Sequence, residues 1–203
     1  CKKDGAIASK KIMLVHAIPG APETDVLFND QVKGRVKYLS NTGYVSVKPE
    51  GSVVNAKLNN VGQASSIVNE DVSVGKEEAY TVFATAKDGA AKYVTLKDDY
   101  PRIKKGKAMV RIVHLSPNLP MVALKNELGS VLSANVGYGS AGGFIEVNAG
   151  KSDLKVVDFK SGQDTFFLTN TQLKEKTAYT LLVRGMIGGQ GDQAVGGTFV
   201  AHK

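Results

Sequence analysis

Two histidines occupy equivalent places in a repeated stretch of this chain, and their side chains are the ones best suited to chemistry. His16 ends the run IMLVH at residues 12–16, and His114 ends the run VRIVH at residues 110–114. Prolines stand at the third and sixth positions after each histidine. An imidazole titrates near neutral pH and can serve as a general base or as a metal ligand. Each histidine is therefore a candidate for catalysis or metal binding.

The residues that such chemistry requires do not accompany the histidines. A catalytic base needs a nucleophile beside it, but Ser116 near His114 has Ile18 in its place in the first copy. The single cysteine, Cys1, lies at the start of the chain. A zinc site needs several converging ligands, and neither histidine has a second histidine or a cysteine at ligand spacing. We therefore predict no catalytic residue, no metal site and no cofactor. Both imidazoles should instead bond to backbone groups around the proline turn.

Three acidic pairs could be metal ligands or acid–base couples. None follows the Asp-x-Asp-x-Asp-Gly pattern of a calcium loop, and adjacent residues on a strand point to opposite faces of a sheet. The sequence therefore favours solvated turn residues for all three. The pairs are Glu70-Asp71, Glu77-Glu78 and Asp98-Asp99.

The most glycine-rich stretch, residues 185–192, reads GMIGGQGD. It lacks the Gly-Lys-Ser/Thr ending of a phosphate loop, and no helical pattern follows it. It stands where residues 86–89 turn in the first copy, so we predict an enlarged hairpin loop. Binding residues tend to lie on loops. The candidate partner contacts are Gly188, Gly189, Gln190 and Asp192 in this loop and Tyr138 in the loop at 137–143.

Short strands are the elements that must position these residues. The runs at residues 35–39 and 44–48 alternate polar and apolar side chains, which is typical of a strand with one buried face. Residues 79–84 (AYTVFA) are the most apolar run of the first half and predict a central strand. Turns recur about every eight to twelve residues, which is typical of an immunoglobulin-like β-sandwich. We predict an all-β fold, without the cysteine and tryptophan landmarks of antibody domains.

A duplication organises the chain. The offset between matching residues is 98 between His16 and His114 and 100 between Tyr38 and Tyr138. A repeat of this length indicates a copied domain, because solenoid units are much shorter. We predict two tandem β-sandwich domains at residues 11–100 and 108–203. A tether at residues 1–10 precedes them, and a linker at residues 101–107 joins them.

Composition and charge exclude one class of partner. The chain has 203 residues, with 26 Lys and Arg against 19 Asp and Glu, and a net charge of +7. The excess is spread over both halves, whereas a nucleic-acid-binding protein clusters its basic residues and interleaves aromatics. We therefore predict no nucleic-acid partner. The pairs Lys10-Lys11 and Lys104-Lys105 are interpreted as solvated tether and linker residues.

The first residue suggests a membrane anchor. A chain that starts at Cys1 and continues with the polar residues KKDG resembles a mature bacterial lipoprotein. In that class the cysteine carries lipid, and each buried methylene of an acyl chain contributes about 0.8 kcal/mol to membrane binding. We expect lipidation of Cys1 and a location at the outer membrane, on its periplasmic or cell-surface face.

The repeated motifs also carry a family resemblance. The histidine–proline stretch, the YVSV strand at residues 44–47 and the AYTV run at residues 79–82 resemble the family labelled domain of unknown function 4397. The resemblance covers nearly the whole chain after the tether, in two copies, and the first copy is the closer match. It implies a secreted or lipid-anchored bacterial protein, notably of the Bacteroidetes, in which tandem copies are frequent. It implies no activity.

These observations favour a non-enzymatic binding or scaffold module of the cell envelope. By analogy with other lipoproteins, the expected protein partner is a barrel or transporter complex of the outer membrane. The alternative is a cell-surface adhesin or carbohydrate-binding protein with a glycan as its ligand. Sugar sites usually present exposed aromatic rings, and the chain has no Trp, seven Tyr and seven Phe.

Overall fold

The computed structural model describes residues 8–203. Cys1, the predicted lipidation site, lies outside the described residues. The chain divides into two compact units, of which the first ends at Asp99 and the second begins at Tyr100. Each unit is a β-sandwich of two four-stranded sheets. The predicted all-β fold of two tandem β-sandwich domains is therefore confirmed, and the units are called domain 1 and domain 2 below.

Domain 1 contains eight strands. They are β1 (Lys10–His16), β2 (Thr24–Phe28), β3 (Gln31–Val36), β4 (Val45–Val47), β5 (Val53–Asn60), β6 (Ser66–Ser73), β7 (Ala79–Lys87) and β8 (Ala90–Lys97). One sheet has the order β4-β1-β7-β8, and the other has the order β3-β2-β5-β6. All neighbouring strands are antiparallel except β1 and β7, which pair in parallel.

Domain 2 repeats this arrangement. Its strands are β9 (Lys107–His114), β10 (Val122–Asn126), β11 (Val131–Val136), β12 (Ile145–Asn148), β13 (Gly150–Asp158), β14 (Asp164–Leu173), β15 (Ala178–Arg184) and β16 (Gly196–His202). The sheets have the orders β12-β9-β15-β16 and β11-β10-β13-β14. The central pair β9 and β15 is again parallel.

Alternating side chains build the core between the two sheets of each domain. In β5, Val54, Ala56 and Leu58 point inward and are fully buried, while the residues between them remain partly exposed. The predicted central strand at residues 79–84 lies within β7, which is flanked by β1 and β8. Burying one large aliphatic side chain contributes about 1.5–3 kcal/mol. The inward rows of these strands therefore hold the sheets together.

Two tight hairpins of domain 1 follow from their turn residues. Asn29-Asp30 joins β2 to β3, and Asp88-Gly89 joins β7 to β8. All four residues have positive φ angles, between 48° and 78°. Two-residue turns of this kind match the right-handed twist of the strands and favour Asn, Asp and Gly. The turn expected within residues 86–89 is confirmed.

Two expectations about local structure are wrong. The run at residues 35–39 does not continue as a strand, because β3 ends at Val36 and Leu39 has a φ of 68°. The pair Glu70-Asp71 lies inside β6 and not in a turn.

Asp98 is also more than a solvated turn residue. Its carboxylate accepts hydrogen bonds from the Thr81 hydroxyl at 2.6 Å and from the Tyr44 hydroxyl. The sequence pair Asp98-Asp99 does not predict these hydrogen bonds, because both partners come from other strands and loops of domain 1.

The segment before β9 packs against domain 2. Ile103 is buried in a small cluster with Met109 and Ala178, and Tyr100 and Phe144 pack around it. Part of the segment predicted as a linker is thus anchored by an apolar side chain. The one helical segment in the described part of the chain is a single 3-10 turn at Gly191–Gln193, so residues 8–203 include no helix able to span a membrane.

Candidate functional site

The repeated histidine lies at the end of the first strand of each domain, and its ring bonds to the turn that follows. In domain 1 the amide of Ile18 donates a hydrogen bond to His16 Nδ1 at 3.3 Å. A ring nitrogen that accepts carries no proton, so the proton is on Nε2 in the neutral imidazole. Nε2 then donates to the Pro22 carbonyl at 3.1 Å. The ring closes the proline turn from both sides.

Domain 2 repeats this corner. The amide of Ser116 donates to His114 Nδ1 at 3.2 Å, and Nε2 lies 3.1 Å from the carbonyl oxygens of both Leu119 and Pro120. The ring of Tyr138 stands edge-on to His114, with 6.3 Å between the ring centroids. Tyr38 takes the same place against His16 at 6.0 Å in domain 1.

Burial keeps the side chains of both histidines out of contact with solvent. Each is fully buried, and this burial lowers the pKa of both rings by more than their backbone hydrogen bonds raise it. Because both nitrogens of each ring are engaged, neither ring offers a lone pair to a substrate or a metal. The prediction that these imidazoles bond to the proline turn is confirmed. Residues 8–203 contain no cluster of three His, Cys, Asp or Glu side chains that could hold a metal ion.

Four connections of domain 2 meet at one end of the sandwich, which we call the loop end. They are residues 115–121, 137–144, 159–163 and 185–195. The strand registers fix this arrangement. His114 pairs with Val183 in the parallel strands, and Val122 lies beside both Val136 and Asp158 in the other sheet. The chain therefore turns at the same end after β9, β11, β13 and β15.

Hydrogen bonds tie the glycine-rich loop at 185–195 to the loop after β9. The Asn118 side chain bonds to Ile187 twice, donating to its carbonyl at 3.2 Å and accepting from its amide at 2.8 Å. The buried Ser116 hydroxyl donates to the Gly185 carbonyl at 2.8 Å. These contacts hold the long loop in one place despite its glycine content.

The loop at 185–195 is also closed on itself. Arg184 donates from one guanidinium nitrogen to the carbonyls of Asp192 at 3.0 Å and Ala194 at 2.8 Å. A Cβ at Gly185 would lie 2.0 Å from the Ala194 oxygen, and one at Gly189 would lie 2.0 Å from the Gln193 oxygen. These two glycines are required for close packing of backbone on backbone. Hydrogen bonds and close backbone packing therefore define the conformation of the loop at 185–195.

The structure places the predicted contact residues at the loop end, in different settings. Gly188, Gln190 and Asp192 are exposed, whereas Gly189 is half-buried beneath the Gln193 carbonyl. Tyr138 is also half-buried, and its ring packs against His114 in the manner shared by both domains. The predicted enlarged hairpin loop is confirmed, and the role of these residues in partner binding stays a prediction.

Sequence reasoning missed four exposed apolar side chains at the loop end. Ile187 is 56% exposed, and Met121, Phe159 and Met186 are each about two fifths exposed. The Phe159 amide donates to the Met121 carbonyl at 2.9 Å, so these two lie side by side. An isolated Met, Ile or Phe in a sequence is ordinarily a core residue. Their exposure could have been inferred from the sequence only because all four residues lie outside the alternating strand patterns.

A buried polar network in domain 2 was also missed. Arg111 donates to the Thr180 hydroxyl at 2.8 Å, and that hydroxyl lies 2.6 Å from His202 Nε2. The Arg111 guanidinium stacks 4.3 Å above the Phe144 ring. A hydroxyl beside an imidazole is the arrangement of an activated nucleophile, but Arg111, Thr180 and His202 are all buried. The network therefore belongs to the packing of domain 2. The sequence indicates it only through Arg111, a charged residue inside the apolar strand β9.

The fold, with a buried histidine bonded to a proline turn in each domain (the histidine corner), defines a class of tandem β-sandwich proteins. A comparison with family models identifies the family. The model described as Domain of unknown function (DUF4397) matches residues 10–125, which is more than half of the chain. The chain belongs to this family. The match spans the described strands of domain 1 and continues through the second histidine–proline stretch into β10.

Solved structures give two further comparisons. The C-terminal domain of AlgF from P. aeruginosa is 28% identical and has a TM-score of 0.35, with 48% of this chain and 99% of that chain covered. The module CBMbc (family CBM26) from Eubacterium rectale Amy13K, in complex with maltoheptaose, is 12% identical and has a TM-score of 0.27. That comparison covers 95% of this chain and 96% of the other. None of the curated proteins compared with the chain matches it.

Proposed function

We propose that this protein is a non-enzymatic binding or scaffold module of the cell envelope, and that it contacts a protein partner through the loop end of domain 2. The observation that carries the proposal is the pair of exposed apolar residues Met186 and Ile187 on a loop fixed by Asn118 and Arg184. Exposed apolar groups that cluster on a surface commonly mark interaction sites.

The rigidity of the loop supports binding. A loop that is ordered before association loses less conformational entropy when a partner binds, so more of the contact energy appears as affinity. The hydrogen bonds from Asn118 and Ser116 provide this order in domain 2. The exposed residues Gly188, Gln190 and Asp192 follow the apolar pair in the same loop and supply small and polar groups, as at the rim of an interface.

A protein partner suits the loop end better than a glycan does. Sugar-binding surfaces usually offer exposed aromatic rings, and the most exposed apolar side chain here is the aliphatic Ile187. Among the four exposed apolar residues of the loop end only Phe159 is aromatic, and the Tyr138 ring is engaged with His114. We therefore propose an outer-membrane protein, such as a barrel or transporter subunit, with an apolar patch of its own.

Two variants test the contact surface. Ile187→Asp introduces a charge at the loop end, and Leu128→Asp does the same at an 85% exposed leucine in the turn between β10 and β11, at the opposite end of domain 2. We expect Ile187→Asp to abolish co-purification of a defined partner from native membranes and Leu128→Asp to retain it. Equal retention by both variants would contradict the proposal.

The proposed envelope location has a separate test. Lipid on Cys1 would raise the intact mass of the native protein above the mass of its polypeptide and would place it in the membrane fraction. A Cys1→Ser variant should lose the added mass and leave that fraction. An unmodified native mass would contradict the proposed anchor while leaving the contact surface to its own test.

A further inference from the structure

Four cationic side chains line one hollow at the end of domain 2 opposite the loop end, where β9 and β15 begin. They belong to Arg102, Lys104, Lys105 and Lys176, and Ile103 is the fifth lining residue. The hollow measures about 460 Å³, which lies within the range of ligand sites in proteins. We call it the basic hollow.

Backbone contacts join the two segments that form the basic hollow. The amide of Lys176 donates to the Lys107 carbonyl at 2.7 Å, and the amide of Lys107 donates to the Lys104 carbonyl at 3.1 Å. Ile103 is buried in the small apolar cluster described above, which anchors the chain between Arg102 and Lys104. The cations are therefore gathered on ordered backbone before any ligand binds, which reduces the entropy lost on binding.

The charges of the basic hollow are not neutralised within the described part of the chain. All four cations are exposed, and none forms an ion pair with another described residue. Glu175 precedes Lys176, but its carboxylate accepts the Gly106 amide at 2.7 Å and does not line the hollow. Like charges gathered in one place repel one another. An anion in the basic hollow would offset that repulsion.

Domain 1 carries an acidic residue at the matching position. The residue whose carbonyl bonds to the first strand of the domain is Glu78 in domain 1 and Thr177 in domain 2. The residue before it is Glu77 in the first case and Lys176 in the second. The Glu77 carboxylate lies 3.8 Å from the Lys97 ammonium, so its charge is paired within domain 1. The fold therefore does not require a cation in this turn.

We propose that the basic hollow docks domain 2 on an anionic membrane surface by binding the phosphate groups of lipid headgroups. Clusters of about four to eight Lys and Arg side chains are typical of surfaces that bind anionic lipids. Guanidinium and ammonium groups only donate hydrogen bonds, and phosphate oxygens accept them, so the two sets match in charge and in bonding. Lys174, in the same turn as Lys176, is a fifth exposed cation.

Other polyanions fit the basic hollow less well. A single-stranded nucleic acid stacks its bases on exposed aromatic rings, whereas the uncharged residue of the lining is the buried Ile103. Tyr100, the nearest ring in the sequence, packs against Phe144. An acidic protein partner would need an apolar interface core, which this lining does not offer. A lipid surface needs neither of these and presents many phosphates at once.

The test is flotation of the full chain with lipid vesicles at low salt concentration. The Cys1→Ser variant is used, so that no acyl anchor contributes to binding. The probes are phosphatidylcholine vesicles with and without phosphatidylglycerol. We expect binding to the vesicles that contain phosphatidylglycerol and no binding to the neutral ones. Binding should weaken as the salt concentration rises, because ions screen exposed charges.

Matched double substitutions identify the docking surface. Removing one cation from a surface that faces anionic lipid should weaken binding about fivefold. Lys104→Ala with Lys105→Ala should therefore weaken vesicle binding about twentyfold. Lys37→Ala with Lys160→Ala removes the same charge from two exposed lysines elsewhere and should change binding less than about twofold. Because all four side chains are exposed, both variants should fold, and amide spectra verify this before flotation.

Three results would overturn the proposal. They are a lack of flotation with anionic vesicles, an equal loss of affinity in the two double variants, and binding of inorganic phosphate or duplex DNA in place of the vesicles. The proposal does not rest on the contact surface at the loop end or on lipid at Cys1. Docking by charge is screened in a high-salt membrane wash, so fractionation after such a wash still tests the acyl anchor separately.

Discussion

The hairpin that joins the last two strands is two residues long in domain 1 and eleven residues long in domain 2. In domain 1 the turn is Asp88-Gly89, and the copy of the same hairpin in domain 2 is the loop at 185–195. The corner after the first strand differs with it. Ser116 and Asn118 of domain 2 replace Ile18 and Gly20 of domain 1. These two polar residues are the ones that bond to the longer loop.

The space between the edge strands of the two sheets also differs between the domains, but here domain 1 is the one with polar side chains. Domain 1 lines it with Glu70 and Tyr93, whereas domain 2 fills it with Phe166, Leu168 and Phe199. The histidine corner, by contrast, is the same in both domains. The comparison separates what the fold needs from what each copy adds. The imidazole belongs to the scaffold, while the loop end and this polar space belong to one domain each.

The largest effect is expected from Gly185→Ala. Gly185 has a φ of 81°, and the added Cβ would lie 2.0 Å from the Ala194 carbonyl oxygen, a backbone atom that cannot move alone. Left-handed backbone at alanine costs about 1–2 kcal/mol, and the collision adds to this. We expect faster amide exchange in β15 and β16 and loss of partner binding.

Gly188→Ala is the matched control for that change. Gly188 also has a positive φ, of 91°, but its Cβ would meet nothing within 4 Å. It should therefore show only the backbone cost of about 1–2 kcal/mol. Equal effects of the two substitutions would mean that the loop at 185–195 is not packed as described.

Because each domain contains the same buried histidine, we predict that the folding stability of both domains depends on pH in the same direction. Burial lowers the folded-state pKa of His16 and His114, so below about pH 6.5 the unfolded chain binds protons more readily than the folded chain. Stability should therefore fall as the pH drops from about 6.5 toward the folded-state pKa, by up to about 1.4 kcal/mol per pH unit for each histidine.

Urea unfolding followed through NMR signals of each domain measures this dependence. His16→Gln should flatten the pH dependence of domain 1, and His114→Gln should flatten that of domain 2, because glutamine does not titrate. A carboxamide can also donate and accept, which preserves part of the corner. Unchanged pH profiles in both variants would show that other groups control acid stability.

The smallest effect is expected at the tyrosines that line the space between the edge strands of domain 1. Tyr93→Phe removes a buried hydroxyl without a partner among the described residues, so stability should stay within about 1 kcal/mol of the natural chain or rise. Tyr80→Phe should instead cost about 1 kcal/mol, because the Tyr80 hydroxyl accepts the Gly75 amide at 2.6 Å. Denaturation midpoints compare the two. A larger loss in Tyr93→Phe would imply a protein partner for that hydroxyl.

The sandwich fold could be predicted because its determinants are local. Alternating runs, turn residues and the repeated histidine stretch each reflect contacts within a strand or a hairpin. The strand at residues 35–39 was misplaced at its end because the left-handed backbone at Leu39 is imposed by the corner. There the Leu39 amide donates to the His16 carbonyl at 2.7 Å, a contact between residues distant in sequence.

The sites were harder to predict than the fold. The enlarged loop was visible because its length differs between the copies, but the exposure of Ile187 depends on where Asn118 holds the loop. The position of Glu70 could have been found, because the alternation of Val68, Glu70 and Val72 places its side chain on the inward face. Its adjacency to Asp71 concealed that pattern by suggesting a solvated pair.

A photo-crosslinking amino acid placed at residue 187 tests most directly whether the loop end of domain 2 is the contact surface. The same group at residue 128, at the other end of domain 2, and at residue 89, in the short hairpin of domain 1, provides the comparison. In native membranes we predict one defined crosslinked protein from position 187 and none from positions 128 and 89. Crosslinks of equal yield from all three positions, or none from position 187, would contradict the proposed contact surface.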